Sequence, residues 1–478
     1  MSPGRTALIF EGKPVTYGEL HERICRLAAA LRGAGIRRGD RVAYLGTNHP
    51  AFVETMFATY ALGAIFVPLN FRLTGPEIAY QLEHSGAVAL IHDRPVPESV
   101  PLAVSLDAYE SFLGGASPGF TGEPSALDDV ACILYTSGTT GHPKGAMLTH
   151  GNLIWNAYNL LVCVDVASDE VTLVSAPLFH VAALNQCLLP TFLKGGTSVI
   201  MPGWDVDRCF DLIASHRITW MFGVSAMFAG LAQSPRWAGA DLSSVRCLMT
   251  GGAPVPEALI RAYEERGLTF CQGYGMTETA PGATFLEARE SHDHIGSAGL
   301  PVFFTDVRCV RPDLSEASPG EPGEVLVRGP NVTPGYWNDP GATAGAFVDG
   351  GWLRSGDVAV VEESGHFRIV DRTKDMYISG GENVYPAEVE AAIFEQPGVA
   401  EAAVVGVPDE KWGEVGRAFV VPVPGAGLEP GDVLAGLRGR LAAYKIPVYL
   451  EVVEELPRTG SNKVLKGPLR ERPLPGRA

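Results

Sequence analysis

The alternation of apolar and polar positions predicts helices and strands that follow one another along the first 370 residues. Thr16 and Glu19 have the spacing of a capping box, and apolar residues three and four apart then share one helical face as far as Gly33. A strand-like run follows at 42–45, and a helical pattern begins at Pro50. Alternating strands and helices are typical of layered α/β architecture, so we predict a large α/β domain.

Further apolar runs of strand length continue the pattern, and one of them ends in a glycine-rich turn. The runs comprise residues 64–67, 130–134, 197–201, 245–250, 324–328 and 366–370. The run at 245–250 leads directly into Gly251, Gly252, Ala253 and Pro254. In open α/β sheets ligands bind at the carboxyl ends of the strands, so this turn is a candidate ligand contact.

The charged stretch Asp-Arg-Thr-Lys-Asp at 371–375 marks the predicted domain boundary. A separate set of elements follows it: a helix at 386–394, strands at 402–407 and 417–423, and a helix near 431–441. About 100 residues are enough for a small second domain of α+β type. We therefore predict an N-terminal domain over 1–370, a hinge at 371–375 and a C-terminal domain over 376–478. A charged run of this kind is equally typical of a solvated turn.

The segment 136–144 has the composition of a phosphate-binding loop. Small hydroxyl residues and glycines follow an apolar strand-like run, and Lys144 ends the segment. Glycine lets the backbone approach an anion, hydroxyl and amide groups donate hydrogen bonds, and lysine supplies a positive charge. Because Gly145 stands where a P-loop needs Ser or Thr, the segment is not the common P-loop. Clusters of Gly, Ser and Thr are otherwise typical of flexible surface loops.

Length, composition and charge exclude several classes of protein. A chain of 478 residues is too long for a single core. Its net charge of −17 disfavours binding to nucleic acid or to anionic membranes, and it contains no run of about 18 apolar residues that would span a bilayer. No basic start with an apolar core resembles a signal peptide, and the eight cysteines include no CxxC pair. We therefore expect a cytoplasmic globular protein with reduced thiols.

Lysine is scarce in this chain, with 8 lysines against 29 arginines. Arginine thus serves where charge alone is enough, and each remaining lysine is a candidate for a compact charge in a tight pocket. Four of them, Lys144, Lys374, Lys445 and Lys463, lie within motifs. The alternative for any one of these lysines is chance placement.

Six ordered segments resemble the adenylate-forming superfamily, which contains acyl- and aryl-CoA synthetases, firefly luciferase and the adenylation domains of peptide synthetases. The segments are 135–145, 177–180, 251–254, 272–279, 352–357 and 457–463. One such segment is weak evidence, whereas six in the same order along nearly the whole chain are specific. The resemblance implies that the protein uses Mg-ATP to convert a carboxylic acid into an acyl adenylate, releases pyrophosphate and then transfers the acyl group to a thiol.

The resemblance also implies which residues bind the nucleotide. They are Thr136, Ser137, Gly138, Thr139, Thr140, Gly141, Gly252, Ala253, Pro254, Gly273, Tyr274, Gly275, Met276, Asp357 and Arg372. The loop 136–144 would hold the β- and γ-phosphates, and Tyr274 would stack on adenine with 252–254 against its other face. Asp357 would accept both ribose hydroxyls, and Arg372 would reach the ribose and phosphate side.

Metal binding and catalysis are implied for a further set of residues. Glu278, flanked by Thr277, resembles the Mg²⁺ ligand of the superfamily, and Thr140 is a second candidate ligand. Lys144 and Lys463 are the catalytic lysines, because the family lysine matched by Lys463 bridges the acid's carboxylate and the α-phosphate during adenylation. Asn462 precedes Lys463 where the family usually has glycine, and asparagine tolerates the left-handed backbone well.

The superfamily alternates between two poses of its small domain. Lys374 stands at the family's hinge, about which the small domain is mobile. After the pivot, the loop with Gly380 and Gly381 would replace Lys463 and line the tunnel for the thiol, because paired glycines allow a ligand to pass closely.

The acid-binding pocket is expected to be apolar. His180 corresponds to the family's gate between the thiol tunnel and the pocket, although a histidine on an apolar segment is often a core residue. The residues 181–185 carry no acidic group of the kind that binds an amino acid's ammonium, and plant coumarate ligases have tyrosine in place of Ala182. We therefore expect a medium-chain fatty or aryl acid as substrate. The candidate pocket residues are His180, Ala182, Ala183, Asn185, Pro281, Gly282, Gly380 and Gly381.

CoA is the acceptor that the resemblance favours, so the main prediction is an ATP-dependent acid–CoA ligase that uses Mg²⁺. Two alternatives remain open. The acyl group could instead pass to an acyl carrier protein or to another nucleophile. A non-catalytic nucleotide-binding relative would be expected to lack at least one of Lys144, Glu278, Asp357, Arg372 and Lys463, and all five are present.

Overall fold

The computed structural model of the protein describes residues 3–96, 100–136, 143–252, 255–372, 375–379, 382–409, 411–458 and 464–474. Contacts between residues group the chain into two compact units. The first unit consists of Met1–Val307 and Leu326–Arg354, and the second consists of Arg308–Val325 and Ser355–Ala478.

Strands and helices largely alternate from residue 41 to 275, as the apolar pattern predicts, whereas 282–328 contain strands with no α-helix between them, so the alternation predicted as far as 370 is wrong there. The strands are β1 (Thr6–Phe10), β2 (Lys13–Thr16), β3 (Arg41–Leu45), β4 (Ile65–Leu69), β5 (Ala87–His92), β6 (Leu102–Ser105), β7 (Val130–Thr136), β8 (Lys144–Thr149), β9 (Val171–Val174), β10 (Thr197–Ile200), β11 (Trp220–Gly223), β12 (Cys247–Gly251), β13 (Phe270–Gly275), β14 (Gly282–Leu286), β15 (Leu300–Pro301), β16 (Asp306–Val310), β17 (Pro322–Arg328), β18 (Phe347–Val348), β19 (Trp352–Val361), β20 (Phe367–Arg372), β21 (Tyr377–Ser379), β22 (Glu382–Val384), β23 (Val399–Asp409), β24 (Gly413–Pro422) and β25 (Tyr449–Val452). The helices are α1 (Tyr17–Gly33), α2 (Pro50–Ala61), α3 (Gly75–Ser85), α4 (Leu106–Gly114), α5 (His150–Cys163), α6 (Val181–Ala183), α7 (Leu189–Lys194), α8 (Val206–His216), α9 (Ser225–Gln233), α10 (Glu257–Glu264), α11 (Pro340–Ala346), α12 (Pro386–Phe394), α13 (Pro430–Gly436) and α14 (Lys466–Arg470).

Two mostly parallel sheets form the framework of the first unit. One has the strand order β6-β5-β3-β4-β7-β8, in which only the edge strand β8 runs antiparallel to its neighbour among the described pairs. The other has the order β15-β14-β13-β12-β11-β9-β10-β1-β2, and its central strands from β13 to β1 are parallel. Parallel neighbours place the carboxyl ends of their strands at one edge, where ligands bind in such sheets.

The predicted capping box opens the helix α1. The Thr16 hydroxyl accepts from the Glu19 backbone N–H at 3.2 Å, and a Glu19 carboxylate oxygen accepts from the Thr16 backbone N–H at 2.7 Å. Leu20, Leu27 and Leu31 on the predicted face are buried in the main core. Local capping and the apolar stripe therefore agree, which is why this helix is predictable from sequence.

The second unit contains a mixed sheet with the order β22-β21-β24-β23, and β25 pairs with β24. The helix α12 covers it, because Val389 and Ile393 on one helical face pack with Val404 and Val420 of the sheet. The predicted helix near 431–441 is wrong in its extent, since α13 ends at Gly436. Gly439 has φ +79°, a left-handed conformation that a continuing helix does not allow.

One division between the units falls at Arg354 and Ser355, and 308–325 also belong to the second unit. The strands β19 and β20 form an antiparallel pair in which Asp357 stands opposite Arg372, so this hairpin keeps 355–372 in one unit. The assignment of a hinge to 371–375 remains a prediction. Among the described residues, no helix combines the length and apolar character needed to cross a bilayer.

Candidate active site

The predicted phosphate loop lies at the tip of a β-hairpin. The strands β7 and β8 are antiparallel, and Thr136 stands directly opposite Lys144. Antiparallel pairing thus fixes both ends of the loop, and Lys144 begins the returning strand. Ser137, Gly138, Thr139, Thr140 and Gly141 lie outside the described residues.

The helix α3 braces both ends of this hairpin tip. The Tyr135 hydroxyl donates to the Gln81 backbone oxygen at 3.1 Å and lies 2.9 Å from His84 Nδ1. On the other side, the Tyr80 hydroxyl donates to the backbone oxygen of Pro143 at 3.3 Å. Burial raises the pKa of Tyr135, so its hydroxyl keeps its proton for these hydrogen bonds. Sequence reasoning did not identify this brace.

The predicted adenine-binding segments lie side by side on parallel strands. Gly251 of β12 is paired with Gly273 of β13, and a Cβ atom on Gly251 would lie 2.8 Å from the Gly273 carbonyl oxygen. Gly252 has φ +87°, so the chain turns there through a conformation that favours glycine. Tyr274 is half-buried immediately after Gly273, while Ala253 and Pro254 lie outside the described residues.

A tight turn follows β13 and requires glycine at position 275. A Cβ atom on Gly275 would lie 1.7 Å from the backbone oxygen of Pro281. Asn331, which is fully buried, donates from its side-chain amide to the backbone oxygens of Thr279 and Gly282, each at 2.7 Å. This turn presents Thr277 and Glu278, with half-buried Met276 before them.

Glu278 and Lys144 meet at the side chain of Tyr336. The Tyr336 hydroxyl donates to Glu278 Oε1 at 2.9 Å, and Lys144 Nζ lies 5.2 Å from the centroid of the Tyr336 ring. Desolvation by burial raises the pKa of Tyr336, and the nearby carboxylate of Glu278 raises it further. The phenol therefore stays protonated and able to donate. Two of the predicted site residues are thus brought together by a residue that the sequence did not single out.

The carboxylate of Glu278 has the chemistry of a magnesium ligand. Glu278 is 9% exposed, and the Tyr336 hydroxyl donates to its Oε1. The described residues contain no group of three acidic, histidine or cysteine side chains that would enclose a metal. Mg²⁺ is commonly held by one or two carboxylates together with substrate phosphates and water, so a single carboxylate is sufficient.

The candidate acid-binding residues divide into an accessible and a buried group. His180, Ala182 and Pro281 are partly exposed, and the His180 ring lies 4.4 Å from the ring of Phe179 between centroids. Ala183 is buried, as are Gly282 and Asn185, while Gly380 and Gly381 lie outside the described residues. In this structure a substrate could therefore contact His180, Ala182 and Pro281.

Asn185 links two of the segments that carry candidate acid-binding residues. It is completely buried, and its side-chain amide donates to the Ala280 backbone oxygen at 2.6 Å. The Asn185 backbone oxygen accepts from the side chain of Asn156, whose own oxygen accepts from the Gly282 backbone N–H at 3.0 Å. This chain of hydrogen bonds ties the segment after His180 to the turn at 280–282.

In the second unit, two predicted nucleotide contacts form an ion pair. Arg372 Nε lies 2.8 Å from Asp357 Oδ1, and the carboxylate is far more buried than the guanidinium. Asp371 next to them accepts from the backbone N–H groups of Arg372 and Ala387, at 2.6 Å and 2.8 Å. Burial raises the pKa of Asp371.

Two described residues on either side of the predicted catalytic lysine form an antiparallel bridge. Arg458 pairs with Val464, so 459–463, which include Lys463, connect two anchored positions but lie outside the described residues. Lys374 also lies outside them. Lys445, the remaining motif lysine, donates to both carboxylate oxygens of Glu388 at 2.7 Å, so its contact is within the small domain.

Two family models match most of this chain. The AMP-binding enzyme family matches residues 1–337, and the AMP-binding enzyme C-terminal domain matches residues 388–463. Feruloyl-CoA synthase from Amycolatopsis sp is 53% identical over 475 residues, which are 99% of this chain and 96% of that protein. Indoleacetate–CoA ligase from Aromatoleum aromaticum is 41% identical over 98% of this chain and 96% of its own length.

Solved structures give the same result for the fold. The o-succinylbenzoate coenzyme A synthetase from Bacillus subtilis, in complex with ATP and magnesium ion, has a TM-score of 0.91 and 34% identity, with 98% of each chain covered. The predicted fold class and the predicted ligation of an acid to CoA through an acyl adenylate are confirmed by these likenesses. The chain therefore belongs to the AMP-binding enzyme family, as an ATP-dependent acid–CoA ligase.

Proposed function

We propose that this protein activates a hydroxycinnamic acid of the ferulate type and joins it to CoA. The observation that carries the proposal is the 53% identity with a feruloyl-CoA synthase along 99% of the chain. An indoleacetate–CoA ligase at 41% identity also acts on an aryl acid. Both likenesses favour the aryl alternative over the medium-chain fatty alternative.

The accessible side chains of the candidate pocket support an uncharged, planar substrate body. Ala182 and Pro281 are small and apolar, and 181–185 carry no charged side chain that would pair with a second carboxylate. Alanine at 182 leaves room that a larger side chain would fill. A ring with a methoxy substituent needs such room, and its burial in an apolar pocket contributes to binding.

The first half-reaction is a displacement at the α-phosphorus of ATP. A carboxylate oxygen of the acid attacks, the bond to the bridging oxygen breaks, and pyrophosphate leaves. Both partners are anions, so the protein must neutralise charge and align the two groups. In this proposal Lys144 contacts the phosphates and Lys463 bridges the carboxylate and the α-phosphate. Mg²⁺ held by Glu278 would supply further positive charge at the phosphates.

Recognition of the rest of the nucleotide is proposed for the remaining motifs. Tyr274 offers a half-buried aromatic ring for adenine, and Asp357 offers a carboxylate for the ribose hydroxyls. In the second half-reaction the CoA thiol attacks the acyl carbon and AMP leaves, with His180 as the gate to the pocket. The named relatives act with CoA, so a carrier protein as acceptor receives no support from them.

The proposal is tested by pyrophosphate release over a panel of acids, each with and without CoA. The panel contains ferulate, 4-coumarate, cinnamate, indoleacetate, benzoate, octanoate and palmitate. We expect the highest kcat/KM with ferulate or 4-coumarate, and we expect feruloyl-CoA and AMP to be formed in equal amounts. Turnover with octanoate or palmitate that exceeds turnover with every aryl acid would contradict the proposed substrate class.

The same assay separates the acceptor from the acid. Multiple turnovers that require CoA establish thioester formation. A single equivalent of pyrophosphate per enzyme that CoA does not change would show adenylation with a different acceptor.

A further inference from the structure

Tyr336 contacts two predicted site residues that lie far apart in the chain. Its hydroxyl donates to Glu278 Oε1 at 2.9 Å, and its ring lies beneath the Lys144 ammonium at 5.2 Å from Nζ to the centroid. A cation within about 6 Å of an aromatic face is attracted to it. One side chain thus touches both the carboxylate proposed to hold Mg²⁺ and the lysine proposed to hold phosphate.

The backbone around Tyr336 is fixed to the strand that carries Lys144. Tyr336 forms an antiparallel bridge with Ala146, and the Trp337 backbone N–H donates to the Gly145 oxygen at 2.8 Å. The Tyr336 backbone N–H donates to the Thr343 hydroxyl at 2.9 Å. These contacts hold the backbone at Tyr336 against β8, so the strand that carries Lys144 also determines where the phenol lies.

The segment around Tyr336 is also fixed to the turn that carries Glu278. The Thr333 backbone N–H donates to the Glu278 backbone oxygen at 2.8 Å, and the Met147 backbone N–H of β8 donates to the Gly335 oxygen at 3.0 Å. Gly335 has φ +143°, and a Cβ atom there would meet the Thr343 side chain at 2.4 Å. Glycine at 335 thus allows the backbone to approach Thr343, whose hydroxyl holds the Tyr336 backbone N–H.

We infer that Tyr336 is a positioning residue for Mg·ATP, which sets the orientation of the Glu278 carboxylate and its separation from the Lys144 ammonium. The hydrogen bond to Oε1 restricts rotation of the Glu278 carboxylate, which would keep that group oriented for a cation. Outer partners of this kind commonly alter metal affinity by 10- to 100-fold. The inference rests on the proposed role of Glu278 as the magnesium ligand.

The test compares Tyr336→Phe with the wild-type protein. The substitution removes the hydroxyl and keeps the ring beneath Lys144. Calorimetric titration with ATP at a series of Mg²⁺ concentrations should show that the Mg²⁺ needed for half-maximal binding rises about tenfold or more. Binding of AMP in the presence of EDTA should not change, because that nucleotide brings no metal to Glu278.

Tyr263→Phe is the matched control. Its hydroxyl donates to the Phe228 backbone oxygen at 2.9 Å, and the residue is buried in a different cluster that contains none of the predicted site residues. This variant should lose a similar amount of thermal stability while its Mg²⁺ requirement stays at the wild-type level. Tyr336→Leu, which also removes the ring, should weaken Mg·ATP binding further than Tyr336→Phe.

Two outcomes would overturn the inference. If Tyr336→Phe leaves the Mg²⁺ requirement unchanged, the Tyr336 hydroxyl has no role in binding Mg·ATP. If the variant loses Mg·ATP binding and AMP binding equally, the substitution has caused a general structural defect. The variant Glu278→Gln distinguishes failure of the inference about Tyr336 from failure of the proposed role of Glu278 as the magnesium ligand. If that variant alone changes the Mg²⁺ requirement, only the role of Tyr336 fails; if neither variant does, the role of Glu278 fails as well.

Discussion

Arg372 and Asp357 stand directly opposite each other on two antiparallel strands, and the Arg372 Nε lies 2.8 Å from Asp357 Oδ1. The carboxylate side chain is 7% exposed, whereas the guanidinium side chain is 45% exposed. A charged carboxylate that is this buried needs a partner to offset the cost of its desolvation. The register of the hairpin places Arg372 opposite Asp357, and its guanidinium is that partner. Two residues predicted separately to bind nucleotide are therefore held as a pair before any ligand arrives.

Asp357→Asn should weaken ATP binding strongly. The asparagine amide has no negative charge, so the ribose hydroxyls no longer donate to an ionised acceptor. Hydrogen bonds to charged groups contribute about 1.5–3 kcal/mol, so KM for ATP should rise roughly 10- to 100-fold. Asp306→Asn is the control, because Asp306 pairs with Arg328 at 2.8 Å on an exposed surface. That control should leave KM within about twofold. Equal kinetics for both variants would contradict the ribose assignment.

Lys463→Ala and Gly381→Leu should separate the two half-reactions. The first should abolish pyrophosphate release with acid and ATP while sparing formation of acyl-CoA from supplied acyl adenylate, because the lysine stabilises charge only during adenylation. The second should have the opposite effect, since a bulky side chain would obstruct the thiol path. A variant that loses both activities equally would argue against two alternating poses.

Ala182→Tyr should change the preference among aryl acids. A phenol ring at this partly exposed position would occupy space in the pocket, so kcat/KM for ferulate should fall by about tenfold relative to that for 4-coumarate, which lacks the methoxy group. The ratio of the two values is the measurement, and Ala182→Ser serves as a small-residue control. If the ratio does not move, Ala182 does not contact the ring.

Gly275→Ala should destabilise the first unit. The new Cβ would lie 1.7 Å from the Pro281 backbone oxygen, and a backbone contact this short can be relieved only by moving the strand end. We expect a loss of about 3 kcal/mol in the free energy of unfolding, the upper end for overpacking. Gly239→Ala, where no atom lies within 4 Å of the added Cβ, should remain near wild type in thermal unfolding. Comparable midpoints for the two variants would refute the predicted contact.

His49 should make stability depend on pH. It caps α2, and its Nδ1 accepts from the Ala51 backbone N–H at 3.0 Å. Burial lowers the pKa of His49; nearby carboxylates, chiefly Glu54, oppose this shift without reversing it. The folded-state pKa of His49 lies below the unfolded value of about 6.5. The contribution of neutral His49 to the free energy of unfolding is therefore complete above about pH 6.5, and it is lost as the pH falls through the folded-state pKa.

His49→Asn keeps a capping acceptor that does not titrate. The variant should be less stable than wild type at pH 8, because it loses the edge contact between the His49 and Phe10 rings. This difference in unfolding midpoint should narrow as pH is lowered to 5. A difference that stays constant over this range would show that His49 does not carry the pH dependence.

Local sequence signals predicted several of the helices and strands that the structure describes. The capping box at Thr16, the apolar run of β7 and the glycine turn after β12 depend on neighbours in the chain, and each is present in the structure. The helix predicted near 431–441 was too long, because the apolar pattern continues past Gly436. In the structure α13 ends at Gly436, and the left-handed backbone at Gly439 is incompatible with a longer helix. Periodicity predicts which face is apolar, but it does not show where a helix stops.

By itself, the sequence determined the family and the reaction and predicted the motifs proposed to bind ATP, because these depend on residue types at fixed short spacings. Only the tertiary structure decided which side chains support them. Tyr336 lies 58 positions after Glu278, and nothing near it in sequence indicates that its hydroxyl meets that carboxylate. The pairing of Asp357 with Arg372 likewise follows from strand register, and the burial of Asn185 follows from packing. Contacts between distant segments arise from folding in three dimensions, which local composition does not encode.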